Sequence, residues 1–196
     1  MNKNDKPKLI PRLRFPEFQQ EGEWEIMKVE NLLKLEISNL TLNKLTFTEV
    51  GYPVYGAEGI IGYIKDFQQN EQYISIIKDG AGVGRLRLCE DKSSVLGTLS
   101  ILKVKDKEKY ELKWIYYLLH TINLKSYIKG SGIPHIYFSD YKKEIIKVPS
   151  LSEQQKIAAC LSSLDELIEA QREKIELLKL HKKGLLQGLF PEITNL

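Results

Sequence analysis

From Ile157 to Leu189 the chain keeps an apolar side chain on a seven-residue repeat, and a chain of this size has no surface of its own long enough to cover that stripe. The a and d positions are Ile157, Leu161, Leu164, Ile168, Gln171, Ile175, Leu178, Lys182, Leu185 and Leu189, at spacings alternating between four and three. Gln171 and Lys182 are the interruptions. Pro149 blocks an earlier start, and Ser152-Glu153-Gln154-Gln155 has the spacing of a capping box. The predicted helix is about 55 Å long at 1.5 Å per residue. Gly184 and Gly188 loosen its last turns before Phe190-Pro191. Such a seam needs a second helix. Eight apolar positions on each of two copies contribute on the order of 20 kcal/mol gross when buried, against an association cost of about 4–15 kcal/mol.

Residues 1–150 suit one domain with its own core. Hydrophobic content of 42% and charged content of 28% are those of a folded soluble chain, and no apolar run is long enough to cross a bilayer. The start, with Lys3, Lys6, Pro7, Lys8 and Pro11, lacks the apolar stretch of a signal peptide, so no membrane partner and a cytoplasmic location are expected. Cys89 and Cys160 have no metal-type spacing and read as reduced structural thiols.

Of the net charge of +3, the excess lies before the helix: residues 1–150 carry 23 basic and 19 acidic side chains, residues 151–196 carry 6 and 7. A pI of 8.6 does not by itself announce a nucleic-acid partner. Local patterning says more. Between residues 113 and 147, Lys113, Lys125, Lys129, Lys142, Lys143 and Lys147 alternate with Trp114, Tyr116, Tyr117, Tyr127, Tyr137, Phe138 and Tyr141, against Asp140 and Glu144 alone. That mixture suits phosphate contact and base stacking, or equally a helix with an aromatic core face and a solvated lysine face.

Along the chain, prolines 7, 11 and 16 mark residues 1–22 as an N-terminal arm. Trp24 to Leu35 reads as a short amphipathic segment. Short β-type runs follow at Pro53-Val54-Tyr55, Ile60 to Ile64, Tyr73 to Ile77, Arg85 to Cys89 and Thr98 to Val104. In Arg85-Leu86-Arg87-Leu88 the alternation places both arginines on one face. Residues 111–128 return to helical spacing, Gly130 to Pro134 breaks them, and Glu144 to Val148 is a last strand. The predicted class is α+β: a mixed α/β domain over 23–150, a long coiled-coil helix over 151–190 and a tail over 191–196.

Asp79-Gly80-Ala81-Gly82-Val83-Gly84 follows an apolar strand, as a loop cradling S-adenosylmethionine or a dinucleotide would. That mechanism needs a helix next, and the residues that follow alternate like a strand, which favours a tight turn using glycine at positive φ. His120 and His181 read as helix-surface residues. His135 follows the Gly130 to Pro134 loop, where a binding loop would be useful. The candidate DNA-contact residues are Lys78, Arg85, Arg87, Ser131, His135, Tyr137, Lys142 and Lys143, with no metal-ligand group and no catalytic constellation.

With these elements in place, the chain resembles a specificity subunit of a type I restriction-modification system. The likeness is carried by Arg14-Phe15-Pro16-Glu17-Phe18 with Trp24-Glu25, by Tyr55 to Tyr63 and Lys78 to Gly84, and above all by Val148-Pro149-Ser150-Leu151-Ser152-Glu153-Gln154-Gln155-Lys156-Ile157-Ala158, Leu164-Asp165 and Leu189-Phe190-Pro191. The resemblance implies a non-catalytic, DNA-reading subunit that docks methyltransferase and nuclease subunits. No cofactor is expected on this chain, and S-adenosylmethionine, Mg²⁺ and ATP would belong to those partners. Family members normally carry two target-recognition domains and two such helices, whereas this sequence holds one of each. The expectation is therefore an antiparallel homodimer through the ten seam positions, reading a gapped palindrome in double-stranded DNA. The rival readings are a methyltransferase-like enzyme that uses the glycine loop, and a coiled-coil scaffold with no DNA role.

Overall fold

The computed structural model of the chain describes residues 10–190. The basic positions Lys3, Lys6 and Lys8 of the arm and the tail at 191–196 lie outside the described residues. Among the described residues nine strands and four α-helices run in the order β1 Glu25–Lys28, α1 Val29–Leu32, β2 Leu33–Ile37, β3 Tyr52–Tyr55, β4 Ile60–Ile64, β5 Tyr73–Ile77, β6 Leu86–Cys89, β7 Ser94–Val95, β8 Leu99–Val104, α2 Leu112–Thr121, α3 Phe138–Tyr141, β9 Ile145–Val148 and α4 Leu151–Leu189. The class is the mixed α/β domain with a long C-terminal helix that the sequence predicts.

The centre is an antiparallel sheet in the order β2-β8-β5-β6. All five residues of β5 are buried, so both faces of that strand are covered. Ile74 and Ile76 meet Leu102, Trp114, Ile115 and Leu119, which brings α2 onto one face. Tyr73 and Ile77 join Leu99, Ile101, Tyr55 and Val95 on the other, where the small sheet β4-β3-β7 packs. A third ribbon pairs β1 with β9, Glu25 opposite Val148.

Several elements differ from the sequence reading, which did not anticipate the short β7 and α3. The segment Trp24 to Leu35 is two strands joined by one helical turn, because β1 finds β9 and β2 finds β8, pairings that local spacing does not reveal. The helix expected over 111–128 stops at Thr121, whose Oγ1 donates to Leu118 O at 2.7 Å and competes with the helical ladder, and a 3-10 turn covers Leu124–Tyr127. The cap of α4 is Ser150 in place of Ser152: Glu153 N donates to Ser150 Oγ at 3.4 Å.

The chain divides into two compact units, Met1–Ala158 and Ala159–Leu196. The first turns of α4 therefore belong to the domain. Glu153 is buried and accepts from Arg14 twice, at 2.9 and 2.7 Å, and from Trp24 Nε1 at 3.1 Å. Gln154, also buried, accepts from Glu111 N and donates to Lys109 O and Pro149 O. From Arg14 onward the arm is thus part of the fold, with Phe18 buried and the Arg14 guanidinium pushed up by its hydrogen bonds to Glu153. In the second unit the seam residues Leu164, Ile168, Ile175, Leu178, Leu185 and Leu189 are all exposed.

Candidate nucleic-acid interface

The antiparallel order of the central sheet brings the C-terminal ends of β2 and β5 and the N-terminal ends of β6 and β8 to one end, and their loops are bonded together there. Gly80, Gly82 and Gly84 have φ of 85°, 80° and 84°, so the glycine loop is a tight turn. It closes through Gly84 N to Ile77 O at 2.8 Å and enters β6, so the helix N-terminus a phosphate-cradling loop requires does not follow it.

The second loop is pinned to the first. Gly80 N donates to Pro134 O and Ile136 N to Lys78 O, both at 2.9 Å, while Lys129 and His135 exchange backbone bonds at 2.8 Å. Gly130 makes that bend possible: its φ is 93°, and a Cβ there would stand 2.5 Å from Ile133 O. The His135 ring lies 4.9 Å from that of Tyr137, and Ser131, Ile133 and Tyr137 are all exposed. A third loop joins through Lys78 N to Thr98 O at 3.0 Å and Gly97 N to Leu40 O at 2.8 Å. Where Ile37 to Leu42 meet Lys78 and Leu96 to Thr98 lies a groove of about 450 Å³.

Of the residues singled out from sequence, Lys78, Arg85, Ser131, His135 and Tyr137 fall on this end. Arg85 and Arg87 do share a face, as the alternation requires, and both turn to the Gly56–Glu58 loop. Arg85 Nη1 reaches both carboxylate oxygens of Glu58 at 3.2 Å. Arg87 is half-buried, donates to Gly56 O at 3.0 Å and lies over the Tyr55 ring, which braces that loop. Lys142 and Lys143 follow α3. Lys142 pairs with Glu30 at 3.5 Å and Lys143 is exposed. Nearby the Tyr127 hydroxyl donates to Glu144, which pushes the phenol up. The groove-lining Asn39 and Thr41 and the carboxylate of Glu58 were not found from sequence, because the loops that present them are placed by the undetected β2 and by the pairing of β3 with β4.

Cys89 is buried, donates to Ser75 Oγ at 3.2 Å and is pushed up by burial; Cys160 is exposed on α4, and both are free. Among the described residues no three His, Cys, Asp or Glu side chains gather as a metal site would require, and no helix is long and apolar enough to cross a membrane.

A mixed α/β domain whose loops converge at one end of a sheet, followed by a long helix with an uncovered heptad seam, defines a class that comparison with known proteins makes specific. The type I restriction modification DNA specificity domain matches residues 21–180. The MjaVIII specificity subunit of Methanocaldococcus jannaschii is 34% identical over 131 residues, 64% of this chain and 30% of that one. The EcoprrI specificity subunit of Escherichia coli is 27% identical over 82% of this chain and 40% of its own. The S subunit of a type I restriction-modification system from M. genitalium superposes with a TM-score of 0.69 at 25% identity, over 86% of this chain and 46% of that one. The chain belongs to the type I restriction-modification DNA specificity family. It spans less than half the length of these relatives.

Proposed function

We propose that this chain is the DNA-recognition subunit of a type I restriction-modification complex, working as an antiparallel homodimer that reads a gapped palindrome in the cytoplasm. It carries no chemistry of its own. It docks methyltransferase and nuclease subunits, which hold S-adenosylmethionine, Mg²⁺ and ATP. The observation that carries the reading is the conjunction of a family-matching domain with a helix whose apolar seam residues from Leu164 to Leu189 are exposed. Ile157, Leu161, Leu164, Ile168, Gln171, Ile175, Leu178, Lys182, Leu185 and Leu189 form the interface, with a second copy as occupant. Antiparallel pairing separates the two copies of the domain, so that one duplex can pass both, and the two-fold axis gives both the same half-site on opposite strands.

Within the domain, Lys78, Arg85, Ser131, His135 and Tyr137 face the duplex from the loop end, supported by Arg87, and Lys142 and Lys143 contact phosphate. The test of the dimer is sedimentation of the full chain. Wild type runs as a dimer and the double variant Ile168→Asp, Ile175→Asp as a monomer; a dimer in both would remove the seam from the account, and a wild-type monomer would remove the homodimer.

A further inference from the structure

The loop end presents one side-chain pair whose chemistry matches a particular base pair. Arg85 leaves the glycine turn with its guanidinium beside Gly82, where an added Cβ would stand 3.2 Å from Nη2 and 3.3 Å from Cζ. Nη1 is held from the other side by Glu58 Oε1 and Oε2, each at 3.2 Å, and by Ala57 O at 3.4 Å. The Glu58 loop is itself fixed, by Gly56 N to Gly59 O at 2.8 Å and by Arg87 Nη1 to Gly56 O at 3.0 Å. Both side chains nevertheless reach solvent, Arg85 at 50% and Glu58 at 79% exposure. An ion pair so exposed does little for folding.

The bonds to Glu58 and Ala57 all use Nη1, so they leave the donors on Nε and Nη2 of this half-exposed side chain unspent. The exposed carboxylate likewise keeps lone pairs for a further donor. A cation edge that donates twice, beside a carboxylate that accepts, is the complement of one base pair seen in the major groove. Guanine offers O6 and N7 as acceptors, and the cytosine N4 amino group lies next to O6. An A·T pair presents the reverse, with the adenine N6 amino group before the arginine and thymine O4 before the carboxylate, so both partners reject it.

We propose that Arg85 and Glu58 act as a unit that reads one G·C base pair in each half-site, Arg85 on guanine O6 and N7 and Glu58 on the cytosine N4 amino group. This rests on the recognition role proposed above and adds to it the identity of a base. Glu58 is then a specificity-determining residue, and its pairing with Arg85 orients the guanidinium before DNA arrives.

The test is the methylated sequence produced in cells by the complex of the full chain with its methyltransferase subunits, for wild type, Arg85→Ala, Arg85→Lys and Glu58→Gln. A required G·C pair is expected in the wild-type half-site. Both Arg85 variants should lose that requirement, lysine included, because it cannot donate as a planar fork. Glu58→Gln should relax the requirement for G·C at the same position, since its amide can donate to thymine O4 while Arg85 still disfavours adenine, with discrimination falling on the order of tenfold and all other positions unchanged. The pairing is overturned if the half-site has no required G·C pair, if Glu58→Gln leaves the motif intact, or if the two residues relax different positions. Loss of all methylation in Arg85→Ala with an intact motif in Arg85→Lys overturns it as well, because a phosphate contact then suffices. A wild-type complex that methylates no defined sequence overturns the recognition role and this pairing with it.

Discussion

Strand β5 and the second half of α4 are both rich in large aliphatic residues, and they end in opposite states. Ile74, Ile76 and Ile77 are at most 3% exposed, whereas Ile168 and Ile175 are each 49% exposed. The domain covers β5 with its own elements, α2 on one face and the small sheet on the other. Among the described residues, nothing in the second unit covers the α4 seam from Leu164 to Leu189. The contrast separates what one copy of the chain covers with its own elements from what it leaves exposed: a continuous apolar run between turns is closed by neighbouring strands, whereas a heptad stripe is a pattern that a second helix can close.

The largest expected effect tests the second half of that contrast. Ile168→Asp with Ile175→Asp should abolish dimers in sedimentation while leaving the thermal midpoint of the domain where it was. A matching fall in the midpoint would show that the stripe is covered within one copy after all. Next, Leu102→Ala or Ile74→Ala, at fully buried positions, should cost the domain about 2–5 kcal/mol in chemical denaturation and leave association unchanged. Loss of the dimer in either variant would break the independence of the two units.

A smaller effect is expected at the domain surface. Replacing Lys142 and Lys143 by alanine should weaken binding of the assembled complex to every duplex by about tenfold and reduce the slope of log affinity against log salt by roughly two. An unchanged slope would remove both from the phosphate contacts. Smallest is the acid response of the ion pairs that Glu71, just before β5, makes with Lys103 of β8 and Lys107 beyond it. Lys107 donates to Glu71, with Lys103 beside it, and holds that carboxylate below its ordinary 4.5. Its contribution is therefore present above the pKa of the unfolded chain and lost as pH falls through the lowered folded value. Glu71→Gln should flatten the loss of domain stability below about pH 4.5. An identical acid limb in variant and wild type would show that Glu71 takes no part in it.

What the sequence made legible follows the same division. Strands β4, β5, β6 and β8 are read from runs bounded by turn residues, and α4 from its repeat, because in each the determining pattern is local. Strands β1 and β2 were missed because Trp24, Met27, Leu32 and Leu35 are spaced as on a helix, and only pairing with β9 and β8 overrides that spacing. The site divides likewise. Arg85 was recognisable beside its three glycines, but Glu58 lies 27 residues earlier in the chain, and no local pattern brings it to 3.2 Å from the guanidinium. Glu153, placed by spacing in a helix cap, is instead the carboxylate that ties Arg14 and Trp24 to the start of α4.

The central claim is that two copies of one chain supply both halves of a recognition surface, and the most direct measurement is the sequence methylated in genomic DNA from cells that carry this chain, as their sole specificity subunit, with its methyltransferase. The account predicts two identical half-sites in inverted orientation, separated by a fixed stretch of unread base pairs. A methylated site with two different halves, or with one half alone, would contradict it.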